Sequence, residues 1–230
     1  MRFGLRKLTL LDYPGMVACT VFTCGCNFAC PFCHNASLVN GSEKDLEMDS
    51  AGLAEFFAKR AGILDGVCFT GGEPLLHNDI GMMIRAAKKS GLKVKLDTNG
   101  SFPAKLAELL DSADVDYVAM DIKNSPAKYD MTCGRKGFLD AVLQSIEILL
   151  RGKVDYEFRT TVVSGFHTPQ DFAAIGGMIR GAKRYFLQSF VDSGDILGDG
   201  SGMAALDDEA MQECLAAVKP FVESVQLRGR

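Results

Sequence analysis

Three cysteines within eight residues, Cys26, Cys30 and Cys33 in the run C-N-F-A-C-P-F-C-H-N, constrain this chain more than any other stretch. Thiols in a C-x3-C-x2-C spacing on a tight loop suit a metal site. Four protein ligands would close the coordination sphere of a structural zinc or an electron-transfer cluster, whereas three leave a position open for a substrate or cofactor. The spacing also fits a cubane 4Fe-4S cluster, because three sulfurs can each reach a different iron while the fourth iron stays unligated by protein. An open iron implies chemistry. Cys24, two residues ahead of Cys26, offers an alternative in which C-G-C-x3-C-x2-C closes around zinc or a plain electron-transfer cluster.

A disulfide framework fits poorly. Eight cysteines in 230 residues is far below the density of a small secreted scaffold, and no secretory h-region precedes them. Reduced thiols and an oxygen-labile cluster predict the cytoplasm of an anaerobe or facultative anaerobe. A formal net charge of -4 gives no general attraction to nucleic acid or anionic lipid, and the apolar runs are too short to span a bilayer. The expected macromolecular partner is therefore a protein, with neither nucleic acid nor membrane involved.

The rest of the chain alternates strand and helix patterns. Residues 5–11 form a short apolar segment that Asp12, Tyr13, Pro14 and Gly15 end as a turn. The first strand, 17–23, is rich in β-branched and small apolar residues without alternation, as in a strand buried on both faces. It leads straight into the cysteine loop. After a polar, cysteine-free linker over 36–49, Ser50 caps a helix carrying Leu53, Phe56 and Phe57. Further strands follow at 66–70, 92–97, 116–122, 156–163 and 184–190, separated by helices opened at Asn78 or Asp79, Pro103, Phe138 and Thr168. Residues 191–203 read as a mobile, acidic loop, followed by a helix from Asp207 through Val218 and a short strand within 222–227. Six β/α units predict an α/β fold, an incomplete (β/α)6 barrel with a parallel sheet and outer helices. We read 1–230 as one domain, with the barrel at about 17–190 and the last loop, helix and strand at 191–230.

Several strand ends carry motifs at the end where such folds place their sites. Thr70-Gly71-Gly72-Glu73-Pro74 ends the second strand, Asp97-Thr98-Asn99-Gly100 the third and Asp121-Ile122-Lys123 the fourth, while Arg159 lies in the fifth. An arginine in an apolar strand needs a partner or a ligand. With the cysteine loop and the aromatic Phe32 before its last cysteine, these motifs resemble the radical S-adenosylmethionine (SAM) enzymes, and within them the glycyl-radical-enzyme activases. The resemblance implies a 4Fe-4S cluster on Cys26, Cys30 and Cys33 whose fourth iron is chelated by SAM. It implies that Gly71, Gly72, Glu73 and Asp97 hold the SAM ammonium, that Lys123 pairs with its carboxylate, and that Arg159 points into the barrel near it. As in some activases, Asp97, Thr98 and Asp121 would hold a monovalent cation. The strand-six histidine of better-studied activases is replaced by Leu187-Gln188-Ser189-Phe190, so Gln188 becomes the candidate for adenine recognition. His34 is expected to pack near the cluster, and His77 and His167 to cap or lie at the surface. Cys133, on the loop after strand four, is the one further cysteine near the catalytic end.

L-T-L-L-D-Y-P-G before the first strand, F-T-C-G-C-N-F-A-C-P-F-C-H-N at the cluster and F-R-T-T-V-V on the fifth strand are similar to the activating proteins of anaerobic ribonucleoside-triphosphate reductase. That resemblance implies a glycyl radical enzyme as partner and flavodoxin or ferredoxin as one-electron donor. Activases of other glycyl radical enzymes, such as the pyruvate formate-lyase type, share these motifs. A carboxy-deazaguanine synthase acting on a free metabolite, or a non-catalytic zinc or iron-sulfur protein, are the alternatives outside the activases.

Overall fold

The computed structural model describes residues 1–41, 46–192, 194 and 196–229. The chain starts in the sheet earlier than the sequence pattern suggests. β1 (Arg2–Thr9) pairs antiparallel with β2 (Ala18–Thr23), so the apolar segment before the turn is an edge-side strand, and Leu8, Leu10 and Leu11 stand exposed. Between β2 and β4 (Gly66–Gly71) the expected plain linker contains α1 (Ala36–Val39) and the two-residue β3 (Met48–Asp49), which pairs with β1, before α2 (Ser50–Arg60). Asp49 caps α2 in place of Ser50: its carboxylate accepts from the Gly52 N–H at 2.7 Å.

The remaining elements alternate as the pattern predicts: α3 (Ile80–Lys89), β5 (Lys93–Thr98), α4 (Pro103–Asp111), β6 (Tyr117–Asp121), α5 (Tyr129–Cys133), α6 (Leu139–Leu150), β7 (Asp155–Val162), α7 (Pro169–Met178), β8 (Tyr185–Ser189), α8 (Asp208–Val218) and β9 (Val225–Arg228). Thr168 and Asp171 form a capping box on α7, and Asp207 caps α8 through the Ala210 N–H. The spatial order is β3-β1-β2-β4-β5-β6-β7-β8-β9, with every pair from β2 to β9 parallel. Its outer strands β3 and β9 do not pair with each other among the described residues, so the barrel is open.

Strand periodicity sorts the side chains into two faces. Val21, Phe69, Leu96, Met120, Phe158 and Leu187 pack with the helices in one core, and each such buried side chain contributes about 1.5–3 kcal/mol. The opposite face carries Thr20, Thr70, Lys95, Asp97, Asp121, Glu157, Arg159 and Thr161 instead. Tyr13, Ala18, Tyr117 and Ala119 fill its amino-terminal end. Above them Arg228 grips Glu157 with two bonds of 2.7 and 3.0 Å while the Tyr117 hydroxyl donates to the same carboxylate at 2.8 Å, tying β9 and β6 to β7. Buried charge on this face needs partners throughout, and that requirement shapes the site. Among the described residues no helix is long and apolar enough to cross a membrane.

Candidate functional site

At the carboxyl ends of β2 and β4 to β7, an open cleft is lined by all three of Cys26, Cys30 and Cys33. Cys24 is absent from its wall: the Cys24 thiol is buried and donates to the Leu38 carbonyl at 3.4 Å. Among the described residues no three His, Cys, Asp or Glu side chains gather as ligands of a single metal ion. Three thiols along one wall suit a cluster that offers separate irons. Burial pushes the Cys26 thiol up to about 11 and the Cys30 thiol to about 12, so both are protonated until a metal takes the proton's place.

The cysteine loop is fastened on several sides. Ala29 N–H donates to the Cys133 carbonyl at 2.8 Å, His34 stacks on Phe190 at 5.4 Å between centroids, and the Gly198 N–H reaches the Pro31 carbonyl at 2.7 Å. His34 packs as expected. Gly198 belongs to the stretch read as a mobile, acidic loop; the structure lays it against the cysteine loop, with Asp192 and Asp199 exposed, while Asp195 lies outside the described residues. Polar neighbours that the motifs did not single out complete the loop. Asn35 Nδ2 donates to the Gly71 carbonyl at 3.1 Å, and Asn99 Nδ2 donates to Asn27 Oδ1 at 3.0 Å and to Cys26 Sγ at 3.9 Å. Asparagines inside a cysteine loop and a strand-end turn were the available signal.

The two glycines serve packing as much as ligand approach. Gly71 sits at φ +115°, and a Cβ there would lie 2.4 Å from the Thr23 carbonyl; one on Gly72 would lie 2.0 Å from the Gly25 carbonyl. Their strand end is pressed against the cysteine-bearing one, with Gly72 N–H and Glu73 N–H donating to the Thr23 and Gly25 carbonyls at 2.9 Å each.

Across the cleft floor a ladder of alternating charge runs over three strands. Lys95 pairs with Asp97 Oδ1, Asp97 Oδ2 accepts from Arg159 Nη2 at 3.1 Å, Arg159 Nε donates to Asp121 Oδ1, and Asp121 Oδ2 accepts from Lys123 Nζ at 2.9 Å. Burial opposes each charge, yet the partners prevail: Asp97 and Asp121 are held below the ordinary carboxylate range, and Lys95, Lys123 and Arg159 above theirs. All five are ionised. Three cations against two carboxylates leave one positive charge in excess, and Lys123 at the ladder's end lines the cleft. The structure thus brings together Gly71, Gly72, Asp97, Thr98, Asp121, Lys123 and Arg159 with the cysteines.

Other expected site residues stand off the cleft wall. Glu73 is buried and absent from the cleft wall: Leu75 N–H and Thr98 Oγ1 donate to its Oε1 at 3.0 and 2.8 Å, and Asn99 N–H to Oε2 at 2.7 Å. Burial lifts its carboxyl to about 7 against those three bonds. It clamps β4 to β5. Gln188 is also missing from the wall, where Thr161 on the adjacent strand appears instead. His77 takes a turn-end position, hydrogen-bonded to the Cys24 carbonyl at 2.6 Å. His167 is neither a cap nor at the surface. It is buried, its Nδ1 accepts from the Val163 N–H at 3.1 Å, and its Nε2 therefore donates to the Lys123 carbonyl at 2.8 Å. With Phe32 and Phe172 against its ring, it links the cysteine loop to the backbone that carries Lys123.

Burial depresses the His167 pKa, which gives a signed expectation. A His with a lowered folded pKa contributes stability that is present above about pH 6.5 and lost as pH falls through the folded value. His167→Ala should cost roughly 2–4 kcal/mol at pH 7.5 from two lost hydrogen bonds and a cavity. The gap to the wild type should shrink as pH falls below 6. Urea unfolding at several pH values measures both, and a gap that widens on acidification would contradict the neutral ring.

Comparison with known proteins places these features in a family context. Residues 20–176, from β2 into α7, match the radical SAM superfamily. A Methanocaldococcus jannaschii protein named as a glycyl-radical enzyme activating enzyme is 28% identical over 98% of this chain and 94% of its own length. Among solved structures, a domain of pyruvate-formate lyase-activating enzyme from Bacteroides vulgatus superposes with a TM-score of 0.58 at 17% identity, covering 71% of this chain and 99% of that one. Streptococcus suis SuiB bound to S-adenosylmethionine gives 0.66 at 12% identity, covering 90% of this chain and 48% of SuiB. At such identities the structural likeness speaks for the fold.

Proposed function

We propose, from the premise that this chain belongs to the radical SAM superfamily, that it is an activase which generates a glycyl radical on a partner enzyme, most specifically an anaerobic ribonucleoside-triphosphate reductase. The observation that carries the reading is the shared cleft: three thiols on one wall, and Lys123 with Arg159 on the floor. The similarity to the M. jannaschii protein over nearly its whole length supports the activase class.

Cys26, Cys30 and Cys33 would hold a 4Fe-4S cluster, and the cleft beside them would hold SAM. When bound, the cluster supplies one electron to SAM, whose cleavage to methionine and a 5'-deoxyadenosyl radical provides the agent that abstracts the glycine hydrogen. The protein's part is positional. Lys123 and Arg159 offer charge-assisted donors to the methionine carboxylate, while Thr70, Gly71 and Gly72 line the wall toward its ammonium. Both Asp97 oxygens already face cations, so in this reading Asp97 acts mainly by aligning Arg159. No side chain need move a proton. β9 extends the sheet rather than roofing the cleft, which suits a substrate that brings its own walls, a glycine-bearing loop of a large protein. The electron would come from flavodoxin or ferredoxin. The exposed Asp192 and Asp199 favour a basic surface around the partner's glycine loop.

The test is anaerobic incubation of the reconstituted protein with SAM, reductant and the ribonucleotide reductase of the same organism. A glycyl-radical doublet in the electron paramagnetic resonance spectrum is expected. A doublet only on a pyruvate formate-lyase-like protein would overturn the partner and keep the class. Turnover of a purine-like metabolite with no radical on any glycyl radical enzyme would overturn both.

A further inference from the structure

In the set expected to hold a monovalent cation, every side-chain oxygen of Asp97, Thr98 and Asp121 already meets a hydrogen-bond partner. Asp97 Oδ1 is paired with Lys95 and Oδ2 with Arg159 at 3.1 Å, and Asp121 faces Arg159 and, at 2.9 Å, Lys123. The Thr98 hydroxyl donates to Glu73 at 2.8 Å and accepts from the Gly100 N–H at 3.1 Å. A hard cation needs several oxygen ligands at once. Here it would have to share each carboxylate oxygen with an ammonium or a guanidinium, and it would add charge to a ladder already in positive excess.

Lys95 stands out in this arrangement. Two residues before Asp97 on β5, it projects from the same face one step deeper, with only 3% of its side chain exposed. Its ammonium touches Asp97 and lies 3.7 Å from the Cys68 thiol, which burial keeps protonated and neutral. Arg159 already bridges the two carboxylates with its fork, so without Lys95 one buried oxygen of Asp97 would be bare. We propose that Lys95 is a built-in counter-ion: it takes the charge-balancing place of the monovalent cation, and this chain binds SAM without sodium or potassium. The inference rests on the SAM reading of the cleft and assigns Lys95 a positioning role, acting through Asp97 and Arg159.

The experiment titrates SAM calorimetrically into the reconstituted full chain in sodium, potassium and tetramethylammonium chloride at one ionic strength. The tetramethylammonium ion is too large to sit between the carboxylates. Wild-type affinity should agree within about twofold across the three salts, whereas Lys95→Ala should bind about tenfold more weakly in tetramethylammonium and recover in sodium or potassium. Such ion-selective rescue would not follow from the loss of a merely structural ion pair. A wild type that loses affinity about tenfold in tetramethylammonium, or a Lys95→Ala protein indifferent to the salt, overturns the proposal. Thermal unfolding without SAM gives a second reading: sodium or potassium should raise the melting temperature of Lys95→Ala over tetramethylammonium and leave the wild type unchanged. Absence of SAM binding in every salt sinks the cofactor reading, and the melting series then decides the counter-ion on its own. Should Lys95→Ala fail to fold, Lys95→Met retains the packing of the stem and takes its place.

Discussion

Replacing any one of Cys26, Cys30 or Cys33 with alanine is expected to reduce iron in the anaerobically reconstituted protein from about four per chain to a small fraction of that, with complete loss of SAM cleavage. The effect would be all-or-none because each thiolate would serve a different iron and no nearby thiol is turned toward the cleft. Cys24 is turned to the Leu38 carbonyl, and Cys133 donates to the Arg135 carbonyl at 3.0 Å behind the loop. Cys24→Ala should therefore hold as much iron as the wild type. Because burial keeps Cys26 and Cys30 protonated, assembly releases protons, and loading should proceed further at pH 8.5 than at pH 7. Iron and sulfide analysis beside the visible spectrum checks each point. Stoichiometric zinc, or a cluster retained in Cys30→Ala and lost in Cys24→Ala, would refute the three-thiol site.

The site was legible wherever a motif is local. The cysteine spacing needs only a loop, and the strand-end runs at Gly71, Asp97 and Lys123 fall at carboxyl ends because β/α alternation places them there. What could not be read is how the polar groups share one another. Glu73 follows two glycines and resembles a ligand, but Leu75, Thr98 and Asn99 draw it into a buried clamp, a set of bonds made partly across 25 and 26 residues of chain. Lys95 in an apolar strand was available as a signal by the same reasoning that marked Arg159. The role of His167 depends on a loop 44 residues from Lys123, which no local pattern encodes. The fold shows the same division. β2 and β4 to β8 announce themselves as buried runs, while β1 and β3 pair antiparallel at the margin, β1 carrying the exposed Leu8 and β3 only two residues long.

Arg159→Ala is expected to be the most damaging change outside the cysteines. Among the described residues Arg159 is the one group that touches both carboxylates, through Nε to Asp121 and Nη2 to Asp97 at 3.1 Å. Its removal leaves two buried anions facing each other, held only by Lys95 and Lys123 at the outer oxygens, and breaking such a pair typically costs about 3–5 kcal/mol. Two consequences separate this from a simple packing loss. In the wild type the depressed pKa values of Asp97 and Asp121 contribute stability that is present above about pH 4 and lost as pH falls through the folded values. In Arg159→Ala, protonating one aspartate relieves the repulsion, so its deficit should be largest near pH 7 and shrink toward pH 4. Arg159→Lys restores one charge without the fork and should recover only part of the deficit. Because Asp121 also sets the position of Lys123, Arg159→Ala should weaken SAM binding at least about tenfold while the cluster spectrum stays intact. Urea unfolding from pH 4 to 8, with SAM titration of the reconstituted variants, measures both effects. A stability deficit independent of pH would show that Arg159 contributes packing alone, and unchanged SAM affinity would remove the ladder from the cofactor site.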